Sequence, residues 1–162
     1  MAETIDLYNR QRKPLGRTAA LDEPLPAGSY RLLVTGWIES AKGAFLMVRP
    51  KAGDGSQWQA PTGPVLAGET SLAAALRIVQ SQLGIQPETK TIRLLSSDRQ
   101  EKDRLFYDVF RLRSDTKLDG LTVDTDQLYE ARWMMPADIA RLADEGQLTP
   151  YMKNYEDVVY PE

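Results

Sequence analysis

The sequence contains no cysteine and no histidine. Without cysteine there can be no disulfide, thiolate metal ligand or thiol nucleophile. Without histidine there is no Ser-His or Cys-His dyad, no imidazole-held zinc and no imidazole acid–base work. Any chemistry must come from carboxylates, Lys, Arg, Tyr, hydroxyls or a hard cation. Long apolar runs are missing too, and none approaches the roughly 20 residues of a membrane helix. The opening MAETIDLYNRQRK has no apolar centre, so it is not expected to be a signal peptide, and a cytoplasmic location is expected. Neither sign of charge dominates: 20 basic residues face 23 acidic ones, for a net charge of -3. That balance gives no reason to expect a nucleic-acid or membrane partner.

What is present suits one domain over residues 1–162, with 42% hydrophobic residues to fill a core. No repeat, low-complexity segment or linker interrupts it. Residues 4–8 (TIDLY) predict a short strand, 9–16 (NRQRKPLG) a polar turn and 21–28 (LDEPLPAG) a loop. Tyr30 to Glu39 reads as a strand, 40–43 as a hairpin turn and 44–50 (AFLMVRP) as its partner. A flexible loop is expected over 50–57, then a short edge strand over 58–61, since Pro61 forbids a central one. The strongest helix signal starts at Thr70 or Ser71 and stops at Gly84, with Leu72, Leu76, Val79 and Leu83 as one apolar stripe. Strands follow at 91–97 and 104–113, joined by the charged turn 98–103 (DRQEKD), and another at 128–134. Pro136 then opens a helix, and the tail 149–162 ends in a last short one. The fold class is α/β, a mixed sheet flanked by helices.

One segment carries the argument. Gly63 to Ile85 reads GPVLAGETSLAAALRIVQSQLGI. Gly63, Glu69, Arg77, Val79, Gly84 and Ile85 sit in register with the pattern Gly, five residues, Glu, seven residues, Arg-Glu-apolar-any-Glu-Glu-any-Gly-apolar. The segment resembles the Nudix box. Trp58, Thr62 and the run LAGETSLAAALR strengthen the likeness. IDLYNRQRKPLG, LPAGSYRLLVTGWI and GAFLMVR are similar to the front half of the isopentenyl-diphosphate-isomerase-like Nudix branch. Tyr129-Glu130-Ala131-Arg132-Trp133 and the Pro136 helix resemble the family's closing strand and helix. The resemblance implies a Nudix α/β/α sandwich with a central mixed sheet, the box forming loop-helix-loop. It also implies diphosphate hydrolysis supported by Mg or Mn.

The departures fall on one face of that helix. Where the pattern has Glu after the arginine stands Ile78, and the Glu-Glu pair is Ser81-Gln82. Positions i, i+3 and i+4 share a helical face. The resemblance implies that this face should carry carboxylates towards divalent cations on a diphosphate. Magnesium is hard and prefers charged oxygen ligands, and it then generates or orients the attacking hydroxide. A serine hydroxyl and a glutamine amide are neutral, and isoleucine ligates nothing. The box at 63–85 therefore reads as degenerate, with Mg or Mn as cofactor if there is one, or none. Ile78 also stands apart from the leucine-rich stripe, so the former metal face is expected to be dry or to cover something.

The candidate site residues each have two readings. Glu69 is a remaining metal ligand and catalytic carboxylate, or a carboxylate favoured by the helix dipole; the second is preferred. Arg77 is a phosphate contact, or a structural partner for Glu69, again with the second preferred. Arg49 is a candidate phosphate partner. Glu130 is the catalytic candidate outside the box, set against an ordinary exposed strand glutamate. Asp98, Glu101 and Asp103 can supply a relocated site or simply form a solvated tip. Trp37 and Trp58 can stack a base or fill the core. Tyr107 and Phe110 must face opposite sides of their strand.

Three functions follow from these readings. The preferred one is a non-hydrolytic Nudix-fold protein that binds a phosphorylated small molecule or a protein partner. Another is a divergent metal-dependent hydrolase of nucleoside diphosphate derivatives, using Glu69, Glu130 and a hairpin carboxylate. The third is a structural or oligomerisation module, a homodimer being suggested by Ile78 and the tyrosine-containing tail. Isomerase chemistry is not supported, for want of any cysteine or histidine.

Overall fold

A computed structural model describes residues 3–53, 55–87 and 89–160, with only the backbone of Leu118. Asp54, inside the loop predicted over 50–57, and Pro161 and Glu162, at the end of the predicted tail, lie outside the described residues. So do Met1 and Ala2 of the opening segment and Glu88.

The period-2 alternation of apolar residues builds the sheet. Its strands are β3 (Arg31–Glu39), β4 (Phe45–Pro50), β5 (Thr62–Pro64), β6 (Arg93–Gln100), β7 (Leu105–Arg113) and β8 (Leu128–Met134). The order is β6-β7-β3-β4-β8, with β5 pairing β3 beside β4. β3 and β7 run parallel from Arg31↔Leu105 to Glu39↔Arg113, while β6, β4, β5 and β8 join antiparallel, so the sheet is mixed. A separate hairpin, β1 (Thr4–Tyr8) and β2 (Pro14–Ala20), is stitched to β3 through the bridge Tyr8↔Tyr30.

Helix α1 (Ser71–Leu83) lies on one face, against Leu32, Val34, Ile38, Phe106, Phe110 and Leu112. On the other face, α2 (Pro136–Asp144) and α3 (Tyr155–Val159) bring Ile139, Val158 and Val159 against Leu33, Trp37, Met47 and Tyr107. The result is the expected α/β/α sandwich. Among the described residues, no helix is long and apolar enough to cross a membrane.

The ends of α1 follow local chemistry. Thr70 Oγ1 accepts from the Ala73 N–H at 3.1 Å, relieving one of the unpaired donors of the first turn. Gly84 ends the helix in the left-handed region (φ 69°), its N–H donating to the Gln80 carbonyl. Pro136 opens α2, where the Met135 N–H donates to Asp138 Oδ2 at 3.1 Å.

Four expectations change. The buried face of α1 is Ala74, Ala75, Ile78, Val79, Gln82 and Leu83, whereas Leu72 is exposed and Leu76 only half-buried. Two alanines let the helix approach the sheet closely, which rotates the contact face away from the predicted stripe. Residues 58–61 make only isolated bridges, Val48↔Gln59 and Trp58↔Leu148; the short strand is Thr62–Pro64. Pro14-Leu15-Gly16, expected in a turn, begins β2, where an unpaired strand edge needs no N–H from proline. Asp98, Arg99 and Gln100 belong to β6, because ladder bonds to Tyr107, Phe106 and Leu105 do not depend on side-chain charge.

Candidate functional site

The loop entering α1 is closed by a carboxylate and a guanidinium. Arg77 Nε donates to Glu69 Oε2 at 2.7 Å and Nη2 donates to Oε1 at 3.0 Å, a two-point pairing. The same Nη2 reaches the Pro64 carbonyl at 2.7 Å, and Glu69 Oε1 accepts from the Leu66 N–H at 2.8 Å. Burial pushes the Glu69 carboxyl up, but the bonds from Arg77 and Leu66 outweigh it and hold it below the usual glutamate range. Glu69 and Arg77 thus tie the 64–69 loop to the first turns of the helix.

The face carrying Ile78, Ser81 and Gln82 looks onto β5. Ile78 is 3% exposed and packs on Gly63 so closely that a Cβ there would lie 2.7 Å from Ile78 Cδ1. Gln82 is 6% exposed; its Nε2 donates to the Thr62 carbonyl at 3.3 Å, and its Oε1 is buried without a hydrogen-bond partner. Ser81 is exposed. Two of the three positions therefore belong to the packed interior between α1 and β5.

Arg49 and Glu130 are cross-strand partners in register, joined from Arg49 Nε to Glu130 Oε1 at 3.3 Å. Arg49 Nη1 donates to the Gly55 carbonyl at 2.8 Å, and its guanidinium lies over the Tyr129 ring at 4.8 Å. By strand alternation Arg49 shares the face of Phe45 and Met47, which is the α2 side. Glu69 and Arg77 belong to the α1 side. The sheet separates the two pairs of candidates, and among the described residues no hydrogen bond or ion pair joins them.

The β6–β7 hairpin does not supply a replacement. Glu101 is held by Arg10, Arg99 and Tyr30, and Asp103 by Gln100. Asp98 Oδ2 is buried without a partner. Among the described residues, no three Asp or Glu side chains converge into a set able to hold a metal ion. Trp37 and Trp58 are core residues, Trp58 carrying the Arg132 guanidinium 5.3 Å above its ring. Tyr107 and Phe110 do enter opposite layers.

A buried polar knot was not signalled by any motif. Asp108 on β7 is 3% exposed and accepts from Arg12 Nη1 at 2.7 Å and Nη2 at 2.6 Å. Ser97 donates to the same carboxylate at 2.8 Å, and Ser71, at the start of α1, also donates to it. Arg12 reaches in from the β1–β2 turn with a left-handed backbone (φ 62°), a conformation costing roughly 1–2 kcal/mol for a residue with a Cβ. Its two bonds to a buried carboxylate offset that strain. The knot fastens the N-terminal hairpin to β7, β6 and the head of α1.

The architecture and the box segment have counterparts in known proteins. An uncharacterized Nudix hydrolase of Listeria monocytogenes is 31% identical over 153 residues, covering 92% of this chain and 89% of its own length. The crystal structure of DR0079 from Deinococcus radiodurans superposes with a TM-score of 0.77 at 19% identity, covering 98% of this chain and 99% of that one. The NUDIX domain of Shewanella oneidensis NrtR, solved with ADP ribose, superposes with a TM-score of 0.59 at 14% identity, covering 69% of this chain and 77% of that one. The NUDIX domain profile matches residues 29–155, spanning the sheet, the 63–85 segment and α2, and the chain belongs to the Nudix family.

Proposed function

We propose that this chain is a Nudix-fold protein, one domain over 1–162, that binds a phosphorylated small molecule without metal-dependent hydrolysis. The observation that carries the reading is the chemistry of one helical face. Ile78 is packed against Gly63, Gln82 is turned towards the Thr62 carbonyl, and Ser81 offers a neutral hydroxyl. Nudix hydrolases generally use a divalent ion such as magnesium or manganese, which needs anionic oxygens. These three residues do not fit such an ion. Glu69 is committed to Arg77 and Leu66 in a role that suits a structural carboxylate. No step through a metal is therefore assigned to this box.

Ligand retention has support of another kind. A Nudix domain of the same fold was solved with ADP ribose, so the scaffold accommodates phosphorylated compounds. The segments 5–16, 25–38 and 43–49 favour the isopentenyl-diphosphate-isomerase-like branch. Arg49, stacked on Tyr129 and paired with Glu130, is the candidate contact on the α2 side of the sheet.

The test is calorimetry with a panel of nucleoside and isoprenoid diphosphates in the presence of manganese, with product release followed in the same samples. Heat of binding without released product is expected. Metal-dependent release at ordinary enzyme rates, abolished by chelation, would overturn the proposal.

A further inference from the structure

Two arginines face each other across a strand pair at one end of the sheet. Arg93 on β6 is the register partner of Arg111 on β7. Like charges directly opposite each other are destabilising in an antiparallel pair. Lys90 and Arg113 join them around a cavity of about 400 Å³, whose wall includes a single carboxylate, Glu39. Glu39 is already paired with Arg111. Among the described residues, Lys90, Arg93 and Arg113 have no carboxylate partner. Elsewhere the candidate phosphate contacts are committed: Arg77 to Glu69 and Pro64, Arg49 to Glu130 and Gly55. Three cations without a carboxylate partner share this one cavity.

The neighbouring compartment is mainly aromatic and apolar, with one carboxylate, Asp157, in its wall. Strand alternation puts Tyr107, Val109, Arg111 and Arg113 in one row on the α2 side of β7. Tyr107 and Val109, with Trp37, Tyr151 and Tyr155, line a cavity of about 190 Å³, and Leu95 is common to both cavities. Along that row the lining changes from aromatic to cationic.

We propose that this row binds an organic phosphate. Lys90, Arg93 and Arg113 hold the phosphate group, Arg111 keeps Glu39 and adds its remaining N–H donors, and the ring of the ligand lies in the aromatic compartment. The chemistry matches part for part. Guanidinium groups give planar, paired N–H donors to phosphate oxygens, and an ammonium adds a mobile point charge. An aromatic-lined recess takes a flat ring and supplies the burial that a free anion cannot use. Binding an anion also removes the repulsion between Arg93 and Arg111. The inference deepens, and rests on, the reading that the chain binds a phosphorylated small molecule. It names the place and the ligand class.

The experiment uses the whole chain in chelator at constant ionic strength, with inorganic phosphate and adenosine monophosphate as probes. Affinity is read by calorimetry, and the thermal midpoint is followed with and without probe. Adenosine monophosphate is expected to bind more tightly than inorganic phosphate. The double variant Arg93→Gln/Arg113→Gln is expected to weaken it by about tenfold or more, the range of a lost charge-assisted bond. Its own midpoint without probe should hold or rise, since a like-charge pair is removed. The double variant Lys13→Gln/Arg17→Gln, an equal charge change on the exposed side of the N-terminal hairpin, should bind like the parent. Equal affinity for the two probes would overturn the ring compartment. An Arg93→Gln/Arg113→Gln variant that binds like Lys13→Gln/Arg17→Gln would overturn the anion site and leave the phosphate-binding reading standing. If neither probe, nor any diphosphate of the panel above, binds the parent, both readings fail.

Discussion

Ile78 occupies the space that a side chain on Gly63 would need. A Cβ built on Gly63 meets Ile78 Cδ1 at 2.7 Å and Cγ1 at 3.1 Å. The contact joins the first fixed glycine of the box to the first of its three altered positions, and it shows what has replaced the carboxylate there: hydrocarbon packed on bare backbone.

Gly63→Ala should therefore overpack the α1–β5 contact and lower stability by about 1–3 kcal/mol. Ile78→Ala should cost about 2–5 kcal/mol through the cavity it leaves. In that background the Gly63→Ala penalty should shrink or vanish. A double-mutant cycle in denaturant reads the coupling; simple additivity would show that the two positions do not touch.

Restoring the family residue at the same position should not restore a site. Ile78→Glu forces a carboxylate into a place that is 3% exposed and packed among apolar side chains. A loss of about 3 kcal/mol or more is expected from an unpaired buried charge. Chemical denaturation checks it. A variant as stable as the parent would mean that the face is open to solvent.

Glu69 and Arg77 are predicted to matter for folding. Glu69→Gln keeps the shape but loses the charge that receives Arg77, and should lower stability by about 1–3 kcal/mol. Arg77→Leu should do the same, because it also strips the Pro64 carbonyl of its donor. Calorimetric unfolding measures both. An unchanged midpoint in either variant would sink the structural reading of the pair.

Asp108 gives a pH signature. Its burial raises the carboxyl pKa, but hydrogen bonds from Arg12, Ser71 and Ser97 outweigh that and hold it below the ordinary aspartate range. A carboxyl whose pKa is depressed by folding contributes stability above its unfolded pKa, about 3.9, and loses it as pH falls through the folded value. The parent should thus show an acid limb of destabilisation beginning below about pH 4 to which Asp108 contributes. Asp108→Asn should be less stable at pH 7 and have a shallower acid limb, seen as thermal midpoint against pH. Parallel limbs for the two proteins would contradict this.

Much of this was legible in the sequence, for local reasons. The Thr70 cap, the Gly84 stop and the Pro136 start each depend on a few neighbouring residues, and the Glu69–Arg77 pair follows from the resemblance to the Nudix box. The Arg12–Asp108 contact does not, because its partners are 96 residues apart and neither belongs to a pattern. The sheet separating Arg49 and Glu130 from Glu69 and Arg77 was equally hidden. Alternation tells which residues share a strand face, but only the parallel β3–β7 pairing and the seat of α1 say which face that is. The predicted helix stripe held at Val79 and Leu83 and missed at Leu72 and Leu76, because Ala74 and Ala75 carry little hydrophobic weight, yet their small size sets how the helix lies.

The most direct measurement of the central claim is manganese binding to the chain alone, followed by the electron paramagnetic resonance signal of the free ion. Adding protein is predicted to leave that signal undiminished, since Ile78, Ser81 and Gln82 offer no anionic oxygen and Glu69 is taken by Arg77. A stoichiometric loss of signal, removed by Glu69→Gln with the fold intact, would show that a metal site survives in the box and would contradict the account.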